Sequence, residues 1–153
     1  MKQQTLSESY KEIKYEKINH MVGMSMWHFE WCSKYRYKAF RKWKYKKLAE
    51  GCLRKAATEY GIKWFELDVQ PNHVHGSASI PMTMTPSKAL GLLKGRASKL
   101  FFERCPNMRL RYKKGHLWSR GKFAASLGFV NLDVVNNYIK NQDKHHKTKW
   151  ITE

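Results

Sequence analysis

Two histidines separated by a single valine, His73-Val74-His75, lie within PNHVHGSASIP (71–81), just after a proline and at the start of an alternating run. In an extended strand residues i and i+2 point the same way, so the two imidazoles stand on one face, about 6–7 Å apart along the backbone. That is close enough to chelate one divalent ion through neutral ring nitrogens. Two solvated histidines on a sheet face satisfy the same pattern, and a structural zinc site is disfavoured because no cysteine lies nearby in the sequence to complete a tetrahedral set. A second group with chemical capacity lies far downstream. Tyr138 and Gln142 are four residues apart and would stack on one face of a helix, beside a buried stripe containing Val135 and Ile139. A tyrosine hydroxyl, with an ordinary pKa of about 10, is a poor nucleophile unless it faces a strong electrophile. A cation held by histidines against a phosphate would create one. Without such a partner, the pair reads as a half-buried tyrosine and a solvated glutamine.

The elements that must position these groups are legible from periodicity. VGMSMWHFEW (22–31) is aromatic and extended, a first strand. LAEGCLRKAATEYG (48–61) carries Leu48, Cys52, Ala56 and Tyr60 at helical spacing, with Gly61 where a helix would stop. IKWFELDV (62–69) is a second strand and HVHGSASI (73–80) a third, joined by Pro71-Asn72. Thr85-Pro86 supplies a cap and a first helical residue for a helix bearing Leu90, Leu93, Ala97, Leu100 and Phe101, which ends before Pro106. HLWS and KFAASLGF read as short strands, and LDVVNNYIKNQ (132–142) as a final helix. The order is strand, helix, strand, strand, helix, strand, extra helix. It predicts an α+β, ferredoxin-like split βαβ fold. Val74, Gly76, Ala78 and Ile80 would face the helices, and His73, His75, Ser77 and Ser79 the open side of the sheet.

Composition narrows the partners. The 153 residues suit one domain spanning 1–153, and 42% apolar content is enough for a core. Thirty Lys and Arg against twelve Asp and Glu leave a net charge of +18, which points to a polyanion, either nucleic acid or an acidic membrane. KYRYKAFRKWKYKK (34–47) interleaves eight basic residues with five aromatics and contains no acid. That mixture suits single strands, with cations on phosphates and rings on bases. Lys34, Arg36 and Arg41 are candidate DNA contacts there, with Phe40 and Trp43 partly buried, and Lys94 and Arg96 extend the positive surface. KHHK (144–147) reads as a solvated tail rather than a metal tract. Cys32, Cys52 and Cys105 are far apart and form no CxxC, as expected of reduced thiols. Residues 1–20 are polar and lack a signal core, and no apolar run is long enough to span a membrane, so a cytoplasmic location with no membrane partner is expected.

Taken in order, HFEWCSKYRYKAF (28–40), VQPNHVH (69–75), LLKGRASKLFF (92–102), LWSRGKF (117–123) with SLG (126–128), and YIKNQ (138–142) resemble segments of one family. These are the small single-tyrosine HUH transposases of minimal insertion sequences that move as single-stranded DNA. Lys122 replaces a usual aromatic, and Ser126-Leu127 a common Thr-Val. The resemblance implies that His73, His75 and Gln142 ligate Mg²⁺ or Mn²⁺. It implies that Tyr138 attacks a single-stranded phosphate, leaving a 5′-phosphotyrosine and a free 3′-OH. It further implies hairpin-ended DNA substrates and a homodimer that shares its active sites between subunits, with Gly128 as a candidate flexible point. A hydrolase would need a base instead, for which Glu66 and Asp68 on the second strand are candidates that nothing in the sequence favours. The readings competing with the resemblance are a non-catalytic RNA- or single-strand-binding module of the same fold, which leaves the four residues without a shared task, and a domesticated HUH relative.

Overall fold

The computed structural model describes residues 16–18 and 21–152; most of the polar 1–20 stretch discussed above lies outside the described residues. Strands β1 (Glu16–Ile18) and β2 (Met21–Gly23) form a small antiparallel hairpin. A second sheet holds β3 (Ser25–Ser33), β4 (Lys63–Gln70), β5 (His73–Ile80) and β6 (Trp118–Leu127) in the spatial order β4-β5-β3-β6, antiparallel throughout. Helix α1 (Trp43–Glu59) connects β3 to β4, and α2 (Pro86–Arg104) connects β5 to β6. This is the split βαβ arrangement expected from the element order. A short α3 (Pro106–Arg109) follows α2, and α4 (Phe129–Lys140) and α5 (Gln142–His146) follow β6.

Local chemistry explains most boundaries. Thr85 Oγ1 accepts from the Lys88 amide at 3.1 Å, and Pro86 occupies the first helical position of α2. Gly61 takes a left-handed φ of 69° after α1, which a side chain would resist. Several boundaries differ from the sequence expectation, beginning with α1, which opens at Trp43 rather than Leu48. The first strand is interrupted at Met24, so 22–31 divides between β2 and β3. β6 runs unbroken through Gly121, because extended backbone tolerates a glycine where pairing continues. The final helix opens at Phe129 and breaks at Asn141, so Tyr138 and Gln142 belong to consecutive helices.

Alternation along the strands separates the two faces of the sheet. Phe29, Trp31, Leu67, Val69, Val74 and Ala78 point into a core shared with Leu53, Ala56, Leu90, Leu93 and Phe101 from α1 and α2. Phe40 is fully buried in this core against Phe101 and Trp118, whereas Trp43 remains well exposed. The three cysteines are free thiols. Among the described residues no helix is long and apolar enough to cross a membrane.

Candidate active site

The opposite face of the sheet is polar by register. His75 pairs with Glu30 on β3 and Asp68 on β4; Ser77 pairs with His28; His73 pairs with Cys32 and Gln70. Directly opposed residues of antiparallel strands point to the same side. The histidines therefore share their face with His28 and Glu30, two neighbours that the sequence reading did not single out. The polar alternation of HFEWC was a usable signal, but its meaning depends on which strand lies beside β5.

This face is not open. α4 lies across β4 and β5, burying Leu132 and Ile139. Ser77 donates to the Asn136 side chain, and Lys140 stands 3.8 Å from Glu66. Coverage by α4 leaves His75 only 1% exposed. It also brings Tyr138 to the histidines of its own chain: its ring centroid is 5.8 Å from that of His75 and 6.4 Å from that of His28, with both rings edge-on. Tyr138 keeps 42% exposure, so its ring borders the cluster without being walled in.

The imidazoles are held neutral. Burial lowers His73 to about 4, assisted by the nearby His146, and lowers His75 to about 3, assisted by His73, His28 and His146. His28 is likewise pushed down by burial. The His73 ring is oriented by Asn72, whose Oδ1 can only accept; Nδ1–H donates to it at 2.8 Å, leaving Nε2 with a lone pair. His75 Nδ1 lies 3.4 Å from Glu30 Oε2, within ion-pair range but outside hydrogen-bonding geometry. Burial raises the Glu30 carboxyl, and His146 opposes that rise.

Gln142 is fully buried. Its Nε2 donates to the Tyr138 carbonyl at 3.1 Å, so its Oε1, an acceptor, is left without a donor. A buried acceptor in that condition carries a desolvation cost unless something positive meets it. Gln142 stands against His73 and opposes the lowering of its pKa. Two neutral imidazoles and an orphaned amide oxygen, assembled where burial removes water, form a donor set suited to a divalent cation. The residues present therefore fit such an ion.

His146, from the segment read as a solvated tail, joins the group. Its ring is 5.1 Å from that of His73 and 6.5 Å from that of His75. His145 faces Tyr138 at 5.2 Å. Beside them a cleft of about 330 Å³ is lined by Lys38, Arg41, His73, His146, Lys147 and Lys149, a basic approach to the histidines.

The five candidate DNA contacts do not come together. Arg41 lies in that cleft. Lys34 and Arg36 flank Tyr35 in a 3₁₀ turn where Tyr35 and Arg36 adopt φ of 61° and 52°, and the Lys34 ammonium sits over the Tyr35 ring. Lys94 Nζ is engaged with the Ser119 carbonyl at 2.7 Å, and Arg96 is paired with Glu59 at 2.8 Å. Of the two acids considered as bases, Glu66 is the one near Lys140, while Asp68 accepts from Gln70 and lies 3.6 Å from Lys46.

The sheet order and the two crossing helices place the chain among α+β proteins of the split βαβ kind. Residues 21–142 match the family described as "Transposase IS200 like", and the chain belongs to it. It is 28% identical over 132 residues to the transposase for insertion sequence element IS200 of Salmonella typhimurium, covering 86% of each chain. It is 25% identical over 123 residues to the ISDra2 transposase TnpA of Deinococcus radiodurans, covering 76% of this chain and 82% of the relative. Two solved structures share the fold. One is a transposase candidate from Deinococcus radiodurans R1 (TM-score 0.65, 24% identity, 83% of this chain and 97% of that one). The other is a REP-associated tyrosine transposase bound to a REP hairpin (TM-score 0.62, 15% identity, 88% of this chain and 75% of that one).

Proposed function

We propose that this transposase cuts and rejoins single-stranded DNA by transesterification at a phosphate, with Tyr138 as the nucleophile. The observation that carries the reading is the edge-on approach of the Tyr138 ring to His75 on the polar face of the sheet. In the first step the phenolic oxygen forms a bond to phosphorus, the bond from phosphorus to the 3′-oxygen breaks, and the phenolic proton is lost as the leaving oxygen gains one. The products are a 5′-phosphotyrosine and a 3′-OH. The tyrosyl phosphodiester conserves the energy of the broken bond, so a 3′-OH from another strand can reverse the attack without ATP. A Mg²⁺ or Mn²⁺ ion held by His73, His75 and Gln142 would polarise the phosphate and stabilise the departing oxygen. The chain's residues do the remaining work. Asn72 orients His73, Glu30 stands behind His75, and α4 covers the cluster against water.

DNA would approach along the basic cleft at Arg41 and past the exposed rings of Tyr35 and Tyr37, which lie 5.2 Å apart with Arg111 over Tyr37. Hairpin-ended substrates are proposed by analogy with the structural relative bound to a REP hairpin. A homodimer is also proposed. What favours it is β6, the sheet edge on the side away from β4, whose residues 120–124 are exposed and whose Phe123 is 49% exposed, a strand available for pairing. Sharing the active site between subunits would require α4 to leave its own sheet. Gly128, extended at φ −107° and uncrowded, accommodates any residue, so its backbone does not demand a hinge.

The test is a denaturing gel after incubation with labelled single-stranded DNA carrying the element's ends and Mn²⁺. Wild type should give a covalent protein–DNA band, and Tyr138→Phe and His73→Ala should give none. Cut DNA without an adduct in wild type would mean hydrolysis; binding without cleavage would mean a recognition module.

A further inference from the structure

The chain beyond Tyr138 is moored back onto the sheet. Gln70, the β4 residue opposite His73, donates to Asp143 Oδ1 at 2.7 Å and accepts from Thr148 Oγ1. Trp150 donates to Asp143 Oδ2 at 3.0 Å, and Ile151 bridges in parallel to Lys42 at the start of α1. Gln70 itself is buried, so α5 is fixed from both sides by a group that cannot exchange its partners for water. His146, the last residue of α5, consequently stands over the histidine pair. One nitrogen from each of His73, His75 and His146 lies within 4.8 Å of the others. Nitrogens bound to one ion sit roughly 3–3.5 Å apart, so the closure required is about an ångström. The exposed His146 side chain has the rotamer freedom to supply it.

We propose that His146 is a third imidazole ligand of the divalent-ion site. The inference rests on the metal-site reading above and extends it in two ways. Three imidazoles favour nitrogen-seeking ions such as Co²⁺ or Ni²⁺ over Mg²⁺, which prefers oxygen donors and retains its waters. Because His146 follows Tyr138 on the same terminal segment, an ion bridging it to β5 fastens α4 and α5 to the sheet of their own subunit. Metal occupancy then biases where the tyrosine resides. Gln142 remains beside the ion as the oxygen donor, so the third imidazole adds to the set without displacing it.

The experiment uses the tag-free full chain after chelator treatment, titrated with Co²⁺ or Mg²⁺ by calorimetry, with visible Co²⁺ absorption reporting the donor set. Hydrogen exchange of residues 138–146 is followed with and without Co²⁺. His146→Ala and His146→Gln should each weaken Co²⁺ binding by about tenfold or more while changing Mg²⁺ binding by less than about threefold. Protection of 138–146 by Co²⁺ should appear in wild type and vanish in both variants. Co²⁺ affinity within about twofold of wild type in His146→Ala, with unchanged absorption, overturns the inference. His73→Ala separates this outcome from failure of the underlying reading. If it too retains wild-type Co²⁺ affinity, the metal site itself falls. If it loses binding while His146→Ala does not, only the role of His146 falls.

Discussion

His75 makes its closest charged approach to Glu30, 3.4 Å away on the neighbouring strand. Drawn into hydrogen-bonding range when the other ring nitrogen ligates an ion, that carboxylate would fix the tautomer and raise ligand basicity. Glu30→Gln, which keeps the size but removes the charge, should weaken Mn²⁺ binding by about tenfold, measured by calorimetry. Gly76, between His75 and Ser77, is needed for space. A Cβ there would lie 2.2 Å from the Trp64 ring, so Gly76→Ala should cost about 1–3 kcal/mol, read as a lower urea midpoint, and should displace the strand that carries both histidines. Protonation supplies a third expectation. His73 and His75 titrate near 4 and 3 in the folded chain but near 6.5 when unfolded, so between those limits the unfolded chain binds more protons. Stability of the chelator-treated protein should be full above about pH 6.5 and fall as pH drops toward 4, a slope that His73→Gln together with His75→Gln would flatten in denaturant melts. At this scale the sequence revealed what lies within one element. His73 and His75 were visible as an i, i+2 pair. Glu30 and His28 were not, because their proximity is created by strand pairing between segments more than forty positions apart.

The elements differ in how strongly the sequence announces them. β5 and α2 were read with their limits intact, because strict alternation and a Thr-Pro cap are signals internal to the segment. The break at Asn141 was not read, because 138–142 holds no proline or glycine to mark it. Nor was the coverage of the polar face by α4, since its apolar residues only declare that they must be buried, not against what. That docking rests on two fully buried residues, Leu132 and Ile139, and a few polar contacts. Ile139→Ala should destabilise by about 2–5 kcal/mol if α4 unfolds with the rest of the chain. If α4 detaches independently, its amides should lose hydrogen-exchange protection while those of β3 and β5 keep theirs.

At the scale of the molecule, a net charge of +18 outweighs any single contact. Binding of single-stranded DNA should weaken steeply with salt, and log K against log salt should be a straight line whose slope counts the neutralised phosphates. Arg41→Ala, in the cleft beside His73, should shallow that slope by about one contact's worth without altering base preference. Arg96→Ala should leave it nearly unchanged, because that guanidinium already faces Glu59. The sequence stated the quantity of charge plainly, but its distribution depends on which cations the fold spends internally.

The parallel bridge between Lys42 and Ile151 joins parts of the chain over a hundred positions apart through a few main-chain bonds. So narrow a seam near the end of the chain should gape early on warming. Once the Gln70 contacts to Asp143 and Thr148 give way as well, those residues and His146 drift away as a unit and the imidazole cluster loses one wall, although the sheet beneath is still intact. Heat should therefore abolish adduct formation several degrees before circular dichroism registers melting.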